Sequence, residues 1–139
     1  MFNIICGEKG KGKTQVLLEK ANAAAKEAKG SIVYIDKSTK HMYELDRNIR
    51  LINIFDYPVH SYEAFLGFIS GIISQDHDLE VLFLDNFLKL AHLSAEEVDL
   101  AIEQFDKFSE ANGLDFVVSM SASADDLPEN AKKAVIVSL

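Results

Sequence analysis

The 139-residue sequence has one cysteine, two arginines, a deficit of basic charge and no long apolar run. Its single cysteine, Cys6, excludes an internal disulfide and suits a reducing cytoplasm. At a strand end it reads as a small buried apolar residue ahead of a redox switch. The formal net charge of −8 argues against an extended nucleic-acid footprint, because nonspecific grip on a phosphate backbone needs a basic face. The longest apolar stretch, FLGFISGII at 65–73, has nine residues. That is well short of the roughly 20 needed to cross a bilayer, so it reads as a buried helix. Met1 leads at once into a strand-like run, and no targeting peptide is expected. The four histidines, His41, His60, His77 and His92, lack metal-ligand spacing, which argues against a zinc site. GxSxG, NKxD and DxxG patterns are absent, weakening serine-hydrolase and GTPase readings. Arg47 and Arg50 share one polar segment and no arginine follows them, which counts against a kinase with an arginine-bearing lid.

The apolar share of 48% and charged share of 26% are ordinary for a globular chain. At this length the expectation is one domain, 1–139, burying roughly two-thirds of its unfolded surface. Its organising stretch comes first. The apolar run MFNIIC leads into GEKGKGKT, Gly7–Thr14, and a helical pattern begins at Gln15. Gly7, Gly12, Lys13 and Thr14 satisfy the phosphate-binding pattern GxxxxGK[ST]. Glycines allow a sharp turn and let backbone N–H groups of the loop, from Gly7 through Glu8, Lys9, Gly10 and Lys11 to Gln15, approach an anion; the helix N-terminus adds a partial positive charge. Lys13 is expected to reach the β/γ-phosphates, and Thr14 to offer its hydroxyl to a magnesium ion that keeps most of its waters. Lys9, Lys11 and Lys13 form the dense basic cluster of an acidic chain, a local attraction for one polyphosphate.

Downstream, QVLLEKANAAAKEAKG predicts a helix with Gly30 as its stop, and SIVYID at 31–36 a buried strand. A polar loop with a short helix precedes an accessory strand, LINIF at 51–55. Ser61 caps a helix to about Ser74 whose apolar face calls for cover on more than one side. EVLFLD at 80–85 is the most hydrophobic strand. Ser94 and Glu97 form a capping box for a helix ending near Gly113, with Val98, Ala101, Ile102, Phe105 and Phe108 on one face. DFVVSMS at 115–121 and AVIVS at 134–138 are the last strands, separated by ASADDLPENAKK, a loop with one helical turn. Alternating apolar strands and helices predict a three-layer α/β sandwich with a mostly parallel sheet. Ligands of such sheets bind beyond the carboxyl ends of the strands, where the loop, Asp36, Asp85 and the serines after Val118 all fall.

A magnesium nucleotide site needs a carboxylate after an apolar strand, and both Asp36 and Asp85 qualify; Asp85 follows the more hydrophobic run and is preferred. In order and spacing, GEKGKGKT, VLFLD and VVSMS resemble the Walker A, Walker B and polar sensor strand of P-loop NTPases, in the arrangement of the RecA-like (ASCE) branch. The chain is also similar to short stand-alone P-loop proteins labelled by analogy with twitching-motility pilus ATPases. The resemblance implies a P-loop NTPase fold with core strand order 5-1-4-3-2, the 51–55 strand being accessory. It assigns Lys13 to phosphate contact, Thr14 and Asp85 to the metal, and Ser119 or Ser121 to sensing the γ-phosphate.

The departures bear on catalysis. Relatives of this branch orient water with a glutamate beside the Walker B aspartate or just past the second strand; here Asn86 holds the first place and Lys37, Ser38 and Thr39 the second. Glu44 and Glu63 sit on no motif. Arg47 and Arg50 read as surface residues that a neighbouring protomer or partner would have to use. The expectation is a cytoplasmic protein binding ATP, or another nucleoside triphosphate, with Mg2+, with slow or partner-dependent hydrolysis. The alternatives are a nucleotide-responsive binding or regulatory module with vestigial catalysis, and a loop that takes another phosphate compound or nothing.

Overall fold

Apolar residues occupy both parities of the strands, and the structure uses both. The computed structural model describes residues 1–139. It contains strands β1 (Phe2–Gly7), β2 (Ser31–Asp36), β3 (Ile49–Asn53), β4 (Leu79–Leu84), β5 (Asp115–Ser121) and β6 (Val135–Ser138). The helices are α1 (Lys13–Glu27), α2 (Tyr62–Gln75), α3 (Phe87–Ala91), α4 (Val98–Asn112) and α5 (Glu129–Ala134). The strands form one sheet in the order β3-β2-β4-β5-β1-β6. Every neighbouring pair is parallel, and an isolated antiparallel bridge joins Gly7 to Ala122.

Side chains of one strand alternate between two cores. Ile5, Ile32, Tyr34, Phe83 and Val117 point to one face and pack with Leu17, Leu18 and Ala21 of α1. Ile4, Val33, Ile35, Leu82, Leu84 and Val118 point to the other, against Phe65 and Ile69 of α2, Phe87 of α3, Phe105 of α4 and Ala131 of α5. The architecture is therefore a three-layer α/β sandwich. No helix is long and apolar enough to cross a membrane.

Several local expectations are corrected. α1 starts at Lys13, two residues before Gln15, and ends at Glu27, with Ala28 already extended. Gly30 is therefore not its stop. It is needed because the chain passes the turn before β4, where a Cβ on Gly30 would lie 2.0 Å from the Asp78 carbonyl oxygen; Glu80 accepts the Lys29 N–H at 2.9 Å and also the Gly30 N–H. β3 runs over 49–53 and is the edge strand. Ser61 caps α2 through the Ala64 N–H at 3.0 Å, but cover on several sides is not what α2 receives. Phe65, Ile69 and Ile73 are buried, Leu66, Phe68 and Ile72 are half-buried on the same core, and Gly67 and Gly71 face open space. The Ser94–Glu97 box opens a 3-10 turn that leads into α4. α3 was not expected; it has five residues, set between left-handed Asn86 and His92, too short for a periodicity to show. α5 stands where a helical turn was expected in the 122–133 loop.

Candidate functional site

The carboxyl ends of β1, β2, β4 and β5 converge on one polar cleft, and the chain leaves β1 into the 7–14 loop there. Gly10 and Gly12 take positive φ, 86° and 93°, a region that favours glycine. Gly12 is the N-cap of α1 but brings no side chain, and the first turn of α1 holds no acidic residue. No hydrogen bond within the protein uses the N–H groups of Gly12, Lys13, Thr14 or Gln15. A 15-residue helix thus presents its orphan donors and the positive end of its dipole to the cleft.

Asp85 follows β4 and is buried. Three hydroxyls from three elements converge on it: Ser119 Oγ donates to Oδ1 at 2.8 Å, Thr14 Oγ1 to Oδ1 at 3.3 Å, and Tyr34 Oη to Oδ2 at 3.0 Å. The Asn86 N–H in turn donates to Ser119 Oγ at 2.7 Å. Burial and the adjoining Asp85 carboxylate push the Tyr34 phenol well up, so it stays a donor. Of the two candidate aspartates, Asp85 is the one Thr14 reaches. Asp36 is also buried; it accepts the Lys37 N–H at 2.7 Å. Burial, aided by Asp85, raises its carboxyl above the ordinary range. Lys13 is folded back, its Nζ donating to the Glu8 carbonyl at 3.0 Å. Burial lowers its ammonium, opposed by Asp85.

These groups surround a cavity of about 430 Å³ with no apolar residue in its lining. Lys9, Gly10, Gly12, Lys13, Thr14, Ser119 and Ser121 line it together with Asp36 and Asp85. Gly7, Glu8, Lys11 and Gln15 do not. The Gly7 N–H is committed to the Ala122 carbonyl at 3.0 Å, while the Glu8 carbonyl takes the Lys11 N–H and the Lys13 ammonium. Arg47, Arg50, Glu44 and Glu63 lie outside the lining. Arg50 instead faces a larger cavity, about 880 Å³, at the amino end of β2. That cavity has more room, but it lacks the free helix N-terminus and the hydroxyl-bound carboxylate, so the smaller one is the chemical candidate. Sequence reading missed Tyr34, Lys40, His41 and Lys89, and it treated Lys37 only as the absence of a glutamate; His41, Lys37, Lys40 and Lys89 all line the cleft. One signal existed for Tyr34, since a buried tyrosine requires a partner for its hydroxyl.

No family model matches the chain and no curated protein matches it in sequence. Among solved structures, the chain is similar to the crystal structure of the flagellar accessory protein FlaH from Methanocaldococcus jannaschii. The TM-score is 0.59 at 16% identity, covering 95% of this chain. The chain spans 65% of the length of that protein. This likeness supports a distant RecA-like fold.

Proposed function

We propose that the cleft binds a nucleoside triphosphate, ATP foremost, together with Mg2+, and that hydrolysis is slow or depends on a partner. The observation that carries the reading is the meeting of Thr14 and Asp85, distant in sequence, at 3.3 Å beside an uncapped helix N-terminus. In this reading the free N–H groups of the loop and first turn take phosphate oxygens, and Lys13 swings from the Glu8 carbonyl to the β/γ-phosphates. Thr14 and Asp85 hold the magnesium: a hydroxyl and a carboxylate suit a hard cation that retains waters, and no cluster of three or more acidic, histidine or cysteine ligands competes for it. The ion would neutralise charge on the phosphates. Ser119, already on Asp85, or Ser121 is the γ-phosphate sensor. Set β3 aside and the sheet order is β6-β1-β5-β4-β2, which counts as 5-1-4-3-2 and supports a P-loop NTPase of the RecA-like branch.

No apolar side chain lines the cavity for a base to stack on, so triphosphates of different bases should bind within a few-fold of one another. A regulatory role gains support from Lys37, which stands just past β2 where a water-orienting glutamate would be needed; the carboxylates of the cleft, Asp36 and Asp85, are both buried and already hydrogen-bonded. The test is thermal. At a hundredfold excess over Kd, MgATP should stabilise the fold by about 2.7 kcal/mol. For 139 residues that corresponds to a rise of about 9 °C in Tm. Lys13→Ala should lose most of the rise, and an undiminished rise in that variant would place binding elsewhere.

A further inference from the structure

We propose that the wall of the cleft opposite the loop is a second anion subsite, where Lys37, Lys40 and Lys89 hold a phosphate group lying beyond the terminal phosphate of the bound triphosphate; this rests on the nucleotide reading above. Sheet order sets the placement. β1, which delivers the loop, is separated from β4 and β2 by β5, and Lys37 and Lys40 follow Asp36 at the end of β2 while Lys89 sits on α3 just past Asp85. A phosphate held by Lys13, Thr14 and the metal therefore has its free side toward these three lysines.

The charge balance supports the same conclusion. Five lysines line the cleft, Lys9, Lys13, Lys37, Lys40 and Lys89, and none forms an ion pair with a carboxylate. The two carboxylates in the lining, Asp36 and Asp85, are buried beneath and occupied by a backbone N–H and by hydroxyls. Gathering like charges without partners inside a chain of net charge −8 costs electrostatic energy that an anion recovers. Lys13 and Lys9 belong with the triphosphate; the far three exceed what it uses. Lys89 is held only by the Phe55 ring at 6.0 Å, the outer limit of a cation–π contact, so it is free to turn inward.

The extra phosphate can come from a longer polyphosphate chain or from a separate molecule, and the full-length chain can tell these apart. In the first arm, calorimetry compares adenosine 5′-tetraphosphate with ATP. The expected gain is about tenfold or more, the worth of one charge-assisted hydrogen bond, and the ratio should fall to about one in Lys37→Ala/Lys40→Ala/Lys89→Ala. In the second arm, inorganic phosphate is titrated into protein saturated with a non-hydrolysable triphosphate analogue; binding there, lost in the triple variant, assigns the group to a separate molecule. All three lysines are exposed, so the variant should melt with the wild type, and the single variants Lys37→Ala and Lys89→Ala each should lower the ratio. A wild-type ratio near one with no phosphate binding at analogue saturation overturns the subsite and leaves nucleotide binding standing. Failure to bind any nucleotide overturns both.

Discussion

Tyr34→Phe isolates one bond at the centre of the site. The ring is fully buried and stacks on Phe83 at 6.3 Å between centroids, and phenylalanine preserves that packing, so the substitution deletes only the hydroxyl that donates to Asp85 Oδ2 at 3.0 Å. Oδ2 then keeps its burial without a donor. A hydrogen bond to a charged group contributes about 1.5–3 kcal/mol. With an unfolding entropy of about 2.1 cal/mol/K per residue over 139 residues, the melting temperature should fall by about 5–10 °C. Repeating the substitution in an Asp85→Asn background should cost clearly less, because the acceptor no longer carries charge, and the double-mutant cycle reads the difference directly. Calorimetric melts of the four proteins without nucleotide are the assay. A fall under about 2 °C, or an equal fall in both backgrounds, would refute the account of Asp85 as a carboxylate held from below by Tyr34.

Asp85→Asn should weaken magnesium-dependent nucleotide binding while leaving most magnesium-free binding, as read by titration with and without chelator; the opposite dependence on Asp36→Asn would transfer the metal to β2. Asp36 has a folded-state pKa raised above its unfolded value by burial, so its charge costs stability at neutral pH, and that cost disappears as pH falls through the raised value. Asp36→Asn should therefore melt higher than wild type at pH 7, with the advantage closing under acid, and a constant advantage across the range would contradict this. Gly30→Ala pushes a Cβ to 2.0 Å from the Asp78 carbonyl oxygen and should lower stability by about 1–3 kcal/mol in denaturant titration. Steady-state ATP turnover by the purified chain should stay below about 1 s⁻¹, and brisk, concentration-independent turnover spared by Arg47→Ala and Arg50→Ala would reject the slow-hydrolysis reading.

The parts of this molecule that could be read from sequence are those whose cause is contiguous. The inner strands announce themselves as runs of apolar residues because both their faces are buried, and the 7–14 loop because its glycines and Lys13 are consecutive. Asp85 could be singled out because it ends the most apolar strand. The boundaries slipped where tertiary contact decided them. Gly30 looks like a helix stop in sequence, yet its role comes from Asp78, which approaches from the turn before β4. α3 begins and ends on Asn86 and His92 in the left-handed region, φ 61° and 58°, a conformation these residues tolerate but do not advertise. Lys37, Lys40 and Lys89 come from two connections, and only the adjacency of β2 and β4 brings them to one cavity.

α1 is the one α-helix over its face of the sheet, with Leu45 beside it, on a core of ten buried residues against 25 on the opposite side. The thinner layer is thus the one that carries the loop. Lifting α1 would uncover Leu17, Leu18 and Ala21 while the thicker side stays intact, so native-state amide exchange should record this opening below the global unfolding energy. An anion seated on the first turn of α1 binds only the closed layer and lowers the opening equilibrium by the factor one plus the ratio of free ligand to Kd. Amides of α1, which exchange through this opening, and amides of α4, which wait for global unfolding, would gain protection by the same factor, so the exchange of one helix would report occupancy of the cleft without melting the fold.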